Sequence, residues 1–365
     1  MSEPLLCPKC GALIGKHLVR CYQCNTYLMG SRMDSWTTAF LPEKAQKNPA
    51  TSLLIFLSFI PFLLVFLKIG PASLLSISSY TMTQIGATNS ALILMDQYWR
   101  FVTANFVHFN ALHLLMNMLG LLALGPFIEE MFDYKKCFFI FFISGTFTFA
   151  IFTMLTFLLP NIFMSALAGG ASAGIFGLLG AGIAGARKMN GKKDLQKILL
   201  KNFFQNLVLG LIILPLGSTV LHVLGFGLGF LFAFFIPAGS GALGKERKLF
   251  SYSFLFSLII VVLSFGFQTI ELKKYPLLIS QESFKSRLSE CLSTNPNSVN
   301  NDPNSLNLIK EKIKTCEIIL RIGVNHPEAI VNRLVYLAQD YPNLLNKEKY
   351  TFYLKRMNKL LKPAL

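Results

Sequence analysis

Charge is scarce in this chain. Asp, Glu, Lys and Arg make up only 14% of its 365 residues, against 53% hydrophobic residues. That poverty excludes an intrinsically disordered chain, which combines high net charge with few apolar side chains. Tryptophan is nearly missing, and two Trp beside 34 Phe suit lipid-facing helices better than a compact soluble core. No H-E-x-x-H occurs, which removes the usual helix-borne zinc hydrolase. No two Asp residues fall inside apolar stretches, which removes an aspartyl mechanism. The first residues are polar and Cys-rich with no apolar h-region, so no cleavable signal peptide is expected. No internal repeat is present, which argues against a transporter built from inverted halves.

What remains is a membrane protein, with a mean hydropathy of +0.52. A helix needs roughly 20 mostly apolar residues to cross a hydrocarbon core of about 30 Å. Seven stretches qualify, over approximately Thr51 to Ile69, Asn110 to Ile128, Cys137 to Leu159, Ser172 to Ala186, Leu199 to Leu216, Thr219 to Pro237 and Leu249 to Ile270. The formal charge of +16 would suit a nucleic-acid binder, but its distribution has a topological explanation. Basic residues cluster before the first span (Arg20, Arg32, Lys44, Lys47) and after the second (Lys135, Lys136). They recur after the fourth (Arg187, Lys188, Lys192, Lys193, Lys197) and after the sixth (Lys245, Arg247, Lys248). All four groups fall on one side of the bilayer, the cytoplasmic one by the positive-inside rule. The chain is therefore expected in the cell membrane, multi-pass, with its N-terminus cytoplasmic and its C-terminus extracytoplasmic. The partners implied are the lipid bilayer and no nucleic acid.

The predicted organisation is all-α and polytopic. Residues 1–30 form a zinc-ribbon-like module, 31–50 a linker, 51–237 a six-helix core, 238–272 a cytoplasmic loop with a seventh transmembrane helix, and 273–365 an extracytoplasmic linker and small helical domain. In the first module, Cys7-x2-Cys10 and Cys21-x2-Cys24 have the spacing of four thiolates closing tetrahedrally around Zn2+. Two disulfides are the alternative, and a reducing cytoplasm disfavours them. Such a module is too small for an apolar core, so the metal would be structural and supply its folding energy. Cys291 and Cys316 fall in the predicted outside domain, where a disulfide is permitted. Cys137 reads as a small apolar residue. In the last domain, Leu306 to Ile322, Pro327 to Gln339 and Lys347 to Leu361 show helical apolar spacing.

Polar groups at bilayer depth are costly and point to function. Three clusters occur: His108-x4-His113-x3-Asn117 at the head of the second span, Gly170-Ala171-Ser172-Ala173-Gly174 opening the fourth, and His222-x2-Gly225-x3-Gly229 in the sixth. Each has a plain packing reading by itself, since small residues let membrane helices approach and a His or Asn can bridge neighbours. Together they lie at one depth, in the outer half of the bilayer. Their chemistry is that of acyl transfer. A Ser172 hydroxyl becomes nucleophilic once a neutral His222 imidazole takes its proton, a contribution of about 10^2 to 10^4 in rate. Asn117 and His113 can donate to an oxyanion, as can the Ser172 amide at a helix N-terminus. Gly225 and Gly229 share the face of His222 and would let the two helices meet closely. No acid within the spans completes a triad, so the expectation is a Ser-His dyad. The soluble hydrolase reading of G-x-S-x-G requires a strand before the Ser, and none is predicted there.

These ordered motifs, together with Trp99-Arg100 and Glu129, resemble the rhomboid intramembrane serine proteases over approximately Thr51 to Pro237. The resemblance implies a six-helix core and a serine endopeptidase cutting in or near the transmembrane segments of membrane proteins. It implies Ser172 as nucleophile, His222 as general base, Asn117 and His113 as oxyanion side chains, and no cofactor for catalysis. By it, His108 lines a water-filled cavity, and Trp99, Arg100 and Glu129 shape and brace the first external loop. Two positions depart from the family pattern: Ala173 follows the nucleophile where Gly is usual, and Phe176 stands where a Tyr usually stacks on the base. A catalytically inactive relative that binds membrane clients is the other reading, which loss of Ser or His would favour; both are present.

Overall fold

The computed structural model describes residues 5–7, 10–14, 23–24, 48–94, 96–159, 167–188, 197–201, 205, 216–237 and 245–274, with Cys291, Ile313, Cys316, Leu334, Val335, Thr351 and Lys355 beyond them. Helices dominate. They are α1 (Pro49–Ile69), α2 (Ala111–Phe132), α3 (Tyr134–Leu158), α4 (Ser172–Lys188), α5 (Leu216–Phe235) and α6 (Lys245–Lys274). Between α1 and α2 run four short turns of helix, Ala72–Leu75, Ser79–Gln84, Ser90–Leu94 and Arg100–Thr103. Near the N-terminus, β1 (Leu5–Leu6) pairs antiparallel with β2 (Leu13–Ile14).

Five of these helices are long and apolar enough to cross a membrane, and α4 is a shorter apolar helix. The chain is thus a multi-pass all-α membrane protein. Helices α1 to α4 match the first four predicted spans, α5 the sixth and α6 the seventh. The predicted fifth span, Leu199 to Leu216, lies largely outside the described residues, as do the 31–50 linker up to Gln46 and Lys47 and most of the three helices expected after Leu306.

The described helices begin and end where local chemistry directs. Pro49 opens α1 at a position that needs no intrahelical N–H. The first amides of α1 donate to a distant carboxylate: Thr51 N–H to Glu129 Oε1 at 2.7 Å and Ala50 N–H to Oε2 at 3.2 Å. The Thr51 hydroxyl adds a third bond to Oε1 at 2.6 Å. A buried anion facing a helix N-terminus gains from both the unpaired donors and the dipole. Glu129 therefore ties the end of α2 to the start of α1. In the turn between α2 and α3, burial pushes the Asp133 carboxyl up, opposed by the Lys136 ammonium 3.7 Å away.

The chain packs as two compact units. One comprises 1–76, 105–149 and 170–262, and holds β1, β2, α1, α2, α4 and α5. The other comprises 77–104, 150–169 and 263–365. It contains the short helical turns from Ser79 to Thr103 and the Cys291–Cys316 disulfide, with Cα atoms 5.2 Å apart.

Candidate active site

The first unit brings the three polar clusters of the sequence together. Asn110 caps α2, its Oδ1 accepting from the His113 amide at 2.7 Å, which satisfies one of the unpaired donors at a helix start. His113 thereby enters α2 at a fixed angle, and Asn117 follows one turn on, its Nδ2 donating to the His113 carbonyl at 2.8 Å. Two rings hold the His113 imidazole. Phe109 stacks on it at 6.0 Å and His108 meets it edge-on at 5.1 Å. His108 is 1% exposed, and its Nε2 accepts from the Ala171 amide at 3.4 Å. Burial first, and then the neighbouring His113, hold the His108 imidazole down at about 3. It is neutral near pH 7, as an accepting Nε2 requires.

That contact joins the head of α2 to the turn that opens α4. Gly170 lies in this turn at φ +135, a backbone state that side-chain-bearing residues avoid. Space forbids a side chain there as well. A Cβ on Gly170 would stand 2.9 Å from His113 Nε2 and 3.8 Å from Ser172 Oγ. The hydroxyl and the imidazole nitrogen thus border the same small space, cleared by a missing methyl. Ser172 is the first residue of α4, so its own amide is among the donors that a helix leaves unpaired.

Helix α5 faces α4 at backbone contact. A Cβ on Gly225 would lie 2.3 Å from the Ala173 carbonyl oxygen, and one on Gly229 would lie 1.9 Å from that of Gly177. Such approaches exist only without side chains. The register they impose sets the turn of His222 beside the turn of Ser172. Phe176, one turn along α4 from Ser172, stacks on the His222 ring with centroids 4.2 Å apart and planes 9° from parallel. His222 itself is 8% exposed.

In the second unit Arg100 is buried. Its Nε donates to Gln97 Oε1 at 2.8 Å, and its Nη1 to the carbonyls of Ala87, at 3.1 Å, and Thr83. The adjacent Trp99 stacks on Phe267 of α6 at 5.9 Å and donates to Gln268 Oε1 at 3.2 Å.

Three contributors escaped sequence reasoning. Asn110 carries the usual N-cap signature immediately before an apolar run. Gln268 is a polar side chain inside an apolar span. Phe109 had no signal, since one Phe among 34 marks nothing.

Near the N-terminus, the sulfur atoms of Cys7, Cys10 and Cys24 lie within 4.8 Å of one another, with Cys7 and Cys24 at 3.5 Å. None of the three is in a disulfide. The first knuckle turns through Gly11 at φ +68, whose amide donates to the Cys7 carbonyl at 2.9 Å. Three convergent sulfurs at this spacing fit a metal ion. Cys21, expected as a fourth ligand, lies outside the described residues.

Comparison with known proteins agrees with the motifs. Residues 95–238 match the rhomboid domain family model. RHOMBOID-like protein 4 of Arabidopsis thaliana is 31% identical over 209 residues, 53% of this chain and 51% of that protein. Rhomboid-like protease 2 of Toxoplasma gondii is 25% identical over 154 residues, 41% of this chain and 51% of that protein. RHOMBOID-like protein 1 of Arabidopsis thaliana is 33% identical over 110 residues, 30% of this chain and 26% of that protein. The chain thus spans about half the length of the first two relatives.

Proposed function

We propose that this chain, whose residues 95–238 match the rhomboid domain model, belongs to that family and is an intramembrane serine endopeptidase working through a Ser172–His222 dyad. One observation carries the reading. The backbone contacts of Gly225 and Gly229 set His222 in register with the first turn of α4, where Ser172 borders the same space as His113.

In the reaction, His222 takes the proton of Ser172 as its oxygen attacks the carbonyl carbon of the scissile peptide bond. The developing oxyanion accepts from the Ser172 amide and from the side chains of His113 and Asn117. One such donor is worth about 10^2 to 10^3 in kcat. His222 then returns the proton to the departing amine, and water, deprotonated by the same imidazole, releases the acyl group from Ser172. Asn117 donates one N–H to the His113 carbonyl and has its second N–H for the oxyanion. His108 holds the Ala171 amide and with it the turn that presents Ser172. Substrates of this class are membrane proteins whose transmembrane segment unwinds near its outer end, since the scissile bond must be extended for attack. The basic clusters put the N-terminus in the cytoplasm, and the Cys291–Cys316 disulfide supports an oxidising, extracytoplasmic C-terminal region. The N-terminal thiols hold a structural Zn2+ through Cys7, Cys10, Cys21 and Cys24. That ion supplies folding energy to the module and takes no part in hydrolysis.

The test is a membrane-anchored reporter co-reconstituted with the full chain. Cleavage by the wild type that disappears in both Ser172→Ala and His222→Ala sustains the reading. Cleavage that survives either substitution overturns the dyad.

A further inference from the structure

The seventh predicted span, α6, lies beyond the residues that match the rhomboid domain. It carries one buried amide that the chemistry above leaves unused. Gln268 is 3% exposed, and both ends of its side chain are engaged. Its Oε1 accepts from the Trp99 indole at 3.2 Å, and its Nε2 donates to the Gln84 carbonyl. A polar group in an apolar span is retained at a cost unless it is fully bonded, and this one spends its bonds on the segment between α1 and α2.

From that segment hydrogen bonds between chain neighbours lead to Ala168. Trp99 is followed by Arg100, whose guanidinium binds the carbonyls of Thr83 and Ala87. Thr103 Oγ1 donates to the Gly86 carbonyl at 2.7 Å, and a Cβ on Gly86, at φ +113, would strike that same Thr103. The residue after Ala87, Thr88, pairs with Ala168 as an isolated antiparallel bridge. Its amide donates to the Ala168 carbonyl at 2.9 Å, the Ala168 amide donates back at 3.2 Å, and the Thr88 hydroxyl adds a bond at 3.1 Å. Ala168 precedes Ser172 by four residues, through the Gly170 turn. Gln84, Thr88, Arg100 and Thr103 are all buried, so the bonds form without competing water and their loss is costly.

We propose that Gln268 is a positioning residue: by clamping Trp99 and the Gln84 carbonyl, α6 fixes the Thr88–Ala168 bridge, from which the chain runs on to Ser172 four residues later. The inference rests on the serine protease reading for its consequence in turnover, but the clamp itself does not. Misplacement of a reacting group by about 1 Å costs on the order of 10^2 in rate, so partial loosening predicts a kcat effect with little change in substrate binding.

The experiment uses the full chain in detergent with Gln268→Met, which keeps length and removes both bonds, and Trp99→Phe, which keeps a ring over Phe267 and removes the indole donor. Reporter cleavage should show kcat lowered about tenfold in Gln268→Met, with KM within about twofold. Hydrogen exchange at the Thr88 and Ala168 amides should accelerate. The double variant should be no worse than the poorer single one, as expected of two groups acting through one bond. A wild-type kcat in Gln268→Met overturns the proposal, as does independent, additive loss in the double variant. Should Gln268→Met fail to fold, Trp99→Phe alone decides by the same kcat and exchange criteria. If the wild type shows no Ser172-dependent cleavage, the protease reading fails. Exchange at Thr88 and Ala168 then decides the clamp: faster in the variants sustains it, unchanged overturns it.

Discussion

Phe176 and His222 lie face to face, 4.2 Å between ring centroids and 9° from parallel. Phe176 has no hydroxyl to offer the base, so the contact is one of ring on ring, worth about 0.5–1.5 kcal/mol beyond the area it buries. In the proposed dyad its value is orientational. Removing the ring in Phe176→Ala should lower kcat by about 3- to 10-fold while leaving KM nearly unchanged, as expected if the stack orients the proposed base. Phe176→Tyr, which keeps the ring, should stay close to wild type. Steady-state cleavage of the membrane-anchored reporter measures both, and a large KM effect with unchanged kcat would show that the ring contacts substrate instead.

Glycine on α5 offers a comparison within one helix. Gly229 has the Gly177 carbonyl oxygen 1.9 Å from where a Cβ would stand, whereas Gly227, two residues earlier, has nothing within 4 Å. Gly229→Ala and Gly227→Ala make the same chemical change in the same helix and raise helix propensity alike. The first must push α5 from α4, an overpacking cost of about 1–3 kcal/mol, and it should lower turnover more than about tenfold by separating His222 from Ser172. The second should match wild type in thermal stability and activity. Equal effects of the two substitutions would mean that close packing of α4 on α5 does not set the dyad.

The same contrast shows what the sequence made legible. Hydropathy and basic clusters mark α1 to α6 because lipid demands long apolar helices whatever their neighbours are. The glycine spacing of Gly225 and Gly229 is visible because close approach needs it. The partners of Arg100 and Glu129 were not legible: Arg100 binds backbone carbonyls, which every residue possesses, and Glu129 binds the first amides of α1, about 80 residues away in sequence. Side chains that bond to main chain leave no matching residue type for a pattern to reveal. Gln268 was legible in principle as a lone amide in an apolar run, but its partner Trp99 lies 169 residues earlier.

Glu129 carries a stability prediction. Its carboxylate accepts three bonds from the start of α1, two of them shorter than 2.8 Å, and hydrogen bonds to a charged group contribute about 1.5–3 kcal/mol each. Glu129→Gln leaves one acceptor and turns an N–H toward the Ala50 or Thr51 amide. The expected loss is about 2–3 kcal/mol, seen as a lower midpoint of thermal unfolding in detergent, while the protein that remains folded labels at Ser172 at the wild-type rate. A slowed labelling rate at unchanged stability would place Glu129 in the catalytic machinery and not at the foot of α1.

The N-terminal thiols give the last test, which separates metal from chemistry. Cys7, Cys10 and Cys24 converge within 4.8 Å, and a structural site of this type binds about one zinc ion through four ligands. Elemental analysis of the purified chain should find about one equivalent of zinc, lost in Cys7→Ser/Cys10→Ser and also in Cys21→Ser. Because a bound metal would supply the folding energy of so small a module, its removal should open residues 5–24 to proteolysis. The proposed dyad lies on α4 and α5, which contribute no ligand to the cluster, so reporter cleavage in detergent should remain within about twofold of wild type. Loss of turnover on zinc removal, with α1 to α6 still folded, would instead tie the module to the reaction.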